Sequence, residues 1–322
     1  MLRERIDAEG STTHPNKTSV ALVRIKDLSD QHISEGIEKC LDLIGFKLPD
    51  AGSVMIKPNM HYYFHPSTGS VTNPATVSAL IDVLRKRNGN LDITIAEADA
   101  SAMLTKHSFK VLGYERIARE KKVRLLNISE GEVIEKTVMV GRRELTIPVA
   151  REVLEAGLLI NVPTLKAHKL PTISCCLKNI YGAIPKRFKH SYHSMLNDVI
   201  VAANKIMKSS LCVVDGTYAF GKHPVKTKVL LAGINLVAVD SVAARCMGYD
   251  PKKIQHLRLA AEEALGHLSL MEILGNIRPE EVSEAFPRIN PSFVNVSWAL
   301  QLLAFGLYRK LTGDAVPPPL ED

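Results

Sequence analysis

"AGLLINVPTLKAHKLPTISCCLKNIYG" (Ala156–Gly182) is the stretch whose reading decides the fold. "LLINVP" is apolar without a break and is closed by Pro163, the pattern of a strand buried on both faces. "PTISCCLKNIYG" reads as a helix starting near Thr172, whose hydroxyl is placed to cap it. A buried strand, a polar loop and a helix in succession make one β–α unit, and such units build parallel sheets.

Working outward, the same alternation recurs. "VALVRI", "SVMIKPN", "LDITIAEAD", "VRLLNIS", "SLCVVDG" and "KTKVLLAG" read as strands. "HISEGIEKCLDLIG", "NPATVSALIDVLRKRNG", "GYERIAREKK", "VAREVLEAG", "HSMLNDVIVAANKIM", "LVAVDSVAARCMG" and "PKKIQHLRLAAEEALG" read as helices. Pro74 suits a first helical position, and Gly45 and Gly89 suit helix ends. "EVIEKTVMV" and "RRELTIP", joined at Gly141, alternate in polarity and predict a hairpin. The expected architecture is α/β: a mainly parallel, mixed sheet with helices on both faces, with two lobes around a cleft left open. Residues 16–275 form the α/β domain, and 276–322 a helical appendage and tail. Within the appendage, Phe293–Gly313 reads as a helix packed on the body or on a second subunit; a membrane-surface helix is the alternative.

Composition narrows the function. Of 322 residues, 46% are hydrophobic, enough for a folded core. No stretch carries the unbroken apolar run of a membrane-spanning helix. The polar start "MLRERIDAEGSTTHPNKTSV" lacks the apolar segment of a secretory signal, which predicts a cytoplasmic protein. The five cysteines (Cys40, Cys175, Cys176, Cys212 and Cys246) form no C-x-x-C pair, so spacing supports neither a zinc ribbon nor an iron–sulfur cluster. Cys175 and Cys176 read as small buried hydrophobes. A formal charge of +7 suits an anionic ligand. Aromatics at 5% argue against a single-strand nucleic-acid groove.

Ligands of open α/β sheets bind beyond the carboxyl ends of the strands. There this chain places Lys57 and Asn59; Glu97, Asp99 and Ser101; Asn161, Lys166 and His168; and Asp215. Histidine titrates near neutrality, so His168 and His193 suit proton transfer or metal ligation. A lysine such as Lys178, set among other cations, loses its proton more easily and becomes a nucleophile. Lys186, Arg187, Lys189 and His190 read as a solvated or phosphate-facing loop, and Asp240 as a residue at a helix start.

The motifs "VMIKPNM…TGSVTNPATVSALIDVL", "LLINVPTLKAH…LKNIYGAIP…YH" and "VVDG…AVDSVAARCMGYDP" resemble the domain of unknown function 362 family over about Val20 to Gly266. Many members of that family carry an attached ferredoxin-like module, which this chain lacks; the resemblance therefore implies the fold and, as a partner, a redox protein supplying the cluster. More distantly, the order His168, Lys178, His193 is similar to the signature of the lactate racemase family. That resemblance implies a nickel-pincer nucleotide on Lys178, nickel bound by His193, and His168 as one of two acid–base histidines. Where the second should follow "DITIA", this chain has "EADAS", and Asp99 is the carboxylate that could act as base there.

Together these readings predict a small-molecule enzyme or cofactor-binding protein, racemase-like or redox-associated, acting on a carboxylate or phosphate ligand by acid–base or metal-assisted chemistry. His168, Lys178 and Asp99 are the catalytic candidates. Lys57, Asn59, Lys166, Lys178 and Asp215 are the cofactor-binding candidates, and His193 is the metal ligand. The cofactor's identity stays open between a metal and a nucleotide-type group. The rival reading is a non-catalytic module that binds nucleic acid or an iron–sulfur redox partner, and a homodimer fits either.

Overall fold

The computed structural model describes residues 18–49, 52–101 and 103–289. The expectations for the chain before residue 18 and for Phe293–Gly313 lie outside the described residues. In the first half, β1 (Thr18–Arg24), α1 (Asp30–Leu43), β2 (Ser53–Pro58), α2 (Pro74–Arg87) and β3 (Asp92–Glu97) follow one another. Then come α3 (Thr105–Val111), α4 (Tyr114–Lys121), β4 (Arg124–Asn127), β5 (Val133–Val140), β6 (Arg143–Ala150) and α5 (Arg151–Glu155). The second half begins with β7 (Leu158–Val162), β8 (Thr164–His168), β9 (Thr172–Ser174), α6 (Cys176–Gly182) and α7 (Leu196–Ile206). It continues with β10 (Leu211–Phe220), β11 (Pro224–Val225), β12 (Val229–Gly233), α8 (Leu236–Cys246), α9 (Gln255–Glu262), β13 (Met271–Gly275) and α10 (Pro279–Ser283).

The main sheet runs β13-β1-β12-β10-β7-β2-β3-β4. β10, β7, β2, β3 and β4 are mutually parallel, and β12 runs against both β10 and β1. The sheet is therefore mixed and mostly parallel, as the β–α alternation predicts. Alternate residues of each strand feed opposite apolar layers, because side chains in a strand point to opposite faces. Val20 and Leu22 join the layer formed with α6, α7, α8 and α9. Ala21 and Val23 join the layer formed with α1, α2 and α4. The β5–β6 hairpin, turning at Gly141 with φ +57°, adds Leu145, Ile147 and Val149 to the first layer. Among the described residues no helix is long and apolar enough to cross a membrane.

Helix starts are fixed by caps. The Asn73 side chain accepts from the Ala75 N–H with Pro74 at the first position, and the Asn235 side chain accepts from the Ala238 N–H. α6 departs from the expectation. Thr172 lies in β9 with φ +69° and caps nothing; the helix starts at Cys176 without a cap from its own segment. Asp240, expected at a helix start, lies inside α8 and supplies the missing cap: its carboxylate accepts from Cys176 N at 2.6 Å and Leu177 N at 3.0 Å. The basic stretch after β7 also holds a hairpin that its composition concealed. β8 pairs with β9, with His168 opposite Thr172, and with β10.

Candidate functional site

The carboxyl ends of β2, β3 and β7 meet over a buried polar cluster. Lys57, 1% exposed, donates to Glu97 at 2.8 Å, to the Pro58 carbonyl at 3.1 Å and to Asn179 Oδ1 at 3.3 Å. Its three N–H groups are thereby committed. Glu97 accepts in addition from Met60 N and Ala98 N. The Asn179 amide donates to Asn161 Oδ1 at 2.7 Å, and Asn161 in turn donates to the Cys176 carbonyl. This network ties three strand ends to α6, and so fixes where Lys178 stands.

Above it lies a group of cations and imidazoles. Lys166 is buried on β8 and donates to the Ser70 carbonyl at 3.2 Å. Burial, and then the charge of Lys178, push its pKa down to about 7. Lys178 is half-buried; burial, and then Lys57, push it down to about 8. Among the described residues no carboxylate forms an ion pair with either amine. His168 is held well below the usual imidazole range by burial, then by Lys178 and Lys166, with His61 and His193 contributing. The charge of Lys166 is the main cause of the same depression in His61, followed by burial and Lys178. His193, half-buried, is lowered by burial, Lys178 and His190. Both His61 and His168 are thus neutral near pH 7.

The structure brings Lys166, His168, Lys178 and His193 within range of one another's charge. The remaining candidates point elsewhere. Asp99 Oδ1 accepts from Thr105 N at 2.8 Å, at the start of α3, and from Asn127 at 3.3 Å. Asp215 is buried and accepts from Asn73 N at 2.6 Å, Thr217 at 2.7 Å and Thr76 at 3.3 Å, holding the start of α2. Asn59 donates to the Ser70 carbonyl and to Thr164, shaping the loop beneath Lys166.

Several contributors escaped the sequence reading. His61 lies in "MHYYFHP", which shows no pattern beyond a polar loop. Lys189 corrects the expectation of a solvated loop: it is buried, donates to the Asp99 carbonyl at 2.5 Å, and burial pushes its pKa down to about 8. His256, on α9, is fully buried with no hydrogen bond to either ring nitrogen; burial, then Lys178, push its pKa down to about 3. A cavity of about 700 Å³ lined by Thr18, Ser19, Asn204, Ser209 and Leu236 opens at the other end of the sheet, where β1 and β10 begin.

The donors present bear on the nickel-pincer group implied by resemblance. The lowered amine of Lys178 suits covalent attachment. His193, however, joins no group of three or more His, Cys, Asp or Glu donors among the described residues. A metal met by His193 there would take its remaining ligands from the group itself.

A thylakoid-associated protein of Synechocystis sp. is 23% identical over 315 residues, covering 91% of this chain and 92% of its own. The lactate racemase apoprotein from Thermoanaerobacterium thermosaccharolyticum superposes on 76% of this chain at 14% identity with a TM-score of 0.41, and the match spans 56% of that protein's length. The model of the domain of unknown function family DUF362 matches residues 54–245, well over half of the sequence, and the chain belongs to that family.

Proposed function

We propose that the protein binds a small carboxylate or phosphate between Lys166 and Lys178 and performs acid–base chemistry on it with His61 and His168. The observation that carries this reading is the pair of lysines with lowered pKa values and, among the described residues, no opposing carboxylate. Two amines held together in poorly solvated surroundings repel, and an anion between them relieves that cost. Lys57 makes the contrast, because Glu97 already neutralises it.

Exposure supports a place for a ligand. His61 is solvent-exposed, and His168 and Lys178 are half-buried, yet the surrounding protein depresses all three pKa values. A neutral imidazole at neutral pH can take a proton from a carbon or oxygen acid, and a second can return one. His61 occupies a different strand end from the one where the racemase signature places its second histidine, so the acid–base pair proposed is His61 with His168. Asp99, engaged at the start of α3, is left out of it.

The test is calorimetric titration with inorganic phosphate and with lactate, in buffers of different ionisation enthalpy. Anion binding should take up protons near neutral pH, because it raises the pKa of both amines, and affinity should fall as pH rises through about 7 and about 8. Lys178→Ala should weaken phosphate binding at least tenfold. Binding without proton uptake, or unchanged in Lys178→Ala, would refute the reading.

A further inference from the structure

Four lysines surround the site, and their amines are not equivalent. The Lys57 amine is committed to Glu97, the Pro58 carbonyl and Asn179. Lys166 donates to the Ser70 carbonyl and Lys189 to the Asp99 carbonyl, and both side chains are buried. Lys178 differs. Among the described residues its amine has no hydrogen-bond or ion-pair partner, and it stands 5.6 Å from the centre of the Tyr181 ring. It is also only half-buried, so a molecule from solvent can reach it. The Lys57 amine lies against α6, 3.3 Å from Asn179 Oδ1 and beside Gly182, where an added Cβ would meet it at 3.3 Å. Residues four apart share one side of a helix, so Lys178 and Gly182 bring the free amine and the fixed one to the same face.

We propose that Lys178 forms an imine with a small aldehyde or ketone that also carries an acidic group. This rests on the anion site proposed above and specifies what else its ligand bears. A lysine that is partly desolvated and set beside another cation keeps a share of its amine uncharged near neutral pH, and the uncharged amine is the nucleophile. The lowering of Lys178 to about 8, by burial and then by Lys57, accords with that placement. The other three lysines lack the combination: each is buried and hydrogen-bonded through its amine.

The step balances without an oxidant or reductant. The nitrogen lone pair forms a bond to the carbonyl carbon as the π electrons pass to oxygen. A proton moves from nitrogen to that oxygen, and His168, neutral and within range of the Lys178 charge, can carry it. Loss of water from the carbinolamine leaves the imine. Once protonated, the imine carries the positive charge that the ammonium had, so the acidic group of the ligand keeps a cation beside it while Lys166 supplies the other. The same charge draws electrons from the adjoining carbon and makes its proton easier for an imidazole to take.

The test is reductive trapping on the full chain with sodium cyanoborohydride and either a keto acid, pyruvate, or a phosphorylated aldehyde, glyceraldehyde phosphate. Intact mass and peptide mapping should find one saturable adduct per chain, on Lys178, suppressed by inorganic phosphate. Labelling by pyruvate alone assigns the acidic group as a carboxylate, and labelling by the aldehyde alone as a phosphate. Acetone, which has no acidic group, should label roughly tenfold less, the worth of one bond to a charged group. Lys178→Arg keeps the charge, so it should retain phosphate binding and lose the adduct. Lys186→Ala, which removes an exposed amine, should keep it. Wild-type protein that binds phosphate yet gives no adduct on Lys178 with either compound, or adducts on exposed lysines alone, would overturn this inference and leave the anion site standing. Absence of phosphate binding would overturn both.

Discussion

Replacing Lys166 with methionine should make the ligand-free protein more stable. Lys166 is 6% exposed, and its amine is lowered from 10.5 to about 7 by burial and by Lys178. Between those two values the unfolded chain binds the proton and the folded chain does not, so this residue makes stability rise with pH across that window. Below about pH 7 both states are protonated, and the fold bears the whole cost of a buried charge. That gap corresponds to at most roughly 5 kcal/mol. Methionine fills similar space without charge, but gives up the 3.2 Å bond to the Ser70 carbonyl, a loss of about 1 kcal/mol. A net stabilisation of about 2–4 kcal/mol at about pH 6 is expected, shrinking as pH approaches 10.5. Urea unfolding of both proteins at about pH 6 and about pH 9 measures it. A variant less stable at the lower pH, or a difference that does not change with pH, would refute the picture of an uncompensated buried amine.

Two other substitutions probe the framework under the site. Glu97→Gln removes the partner of Lys57 and leaves that ammonium buried and unpaired; a loss of about 3–5 kcal/mol by denaturant unfolding is expected, and a loss under about 1 kcal/mol would show that the pair is not buried as described. Asp240→Ala strips the cap from α6 and leaves two buried N–H groups bare, costing about 2–4 kcal/mol; hydrogen exchange should show Cys176 and Leu177 losing protection first, and unchanged protection there would contradict the assignment.

Much of the architecture was legible because it follows from local pattern. The unbroken apolar strands and the capped helices between them require a parallel sheet with two covered faces. The rule that ligands lie beyond strand ends also directed attention to Lys166 and His168. What stayed hidden depends on partners distant in sequence. β13 joins the sheet by lying parallel to β1, an alignment no nearby residue announces. Lys189 sits in "KRFKH", which reads as solvated, and its burial depends on the carbonyl of Asp99. Asp240 resembles any polar helix residue until α6 is seen beside it. At the strand ends, polarity alone could not separate Asp215, which holds a helix start, from Lys166, which faces other cations.

The central claim is that the Lys178 amine sits among cations, ready for an anion. Its pKa can be measured directly by nuclear magnetic resonance titration of the lysine side chain, isotopically labelled, without and with saturating inorganic phosphate. The account predicts a midpoint near 8 in the free protein, rising when phosphate binds. A midpoint near the ordinary 10.5, unmoved by phosphate, would contradict it.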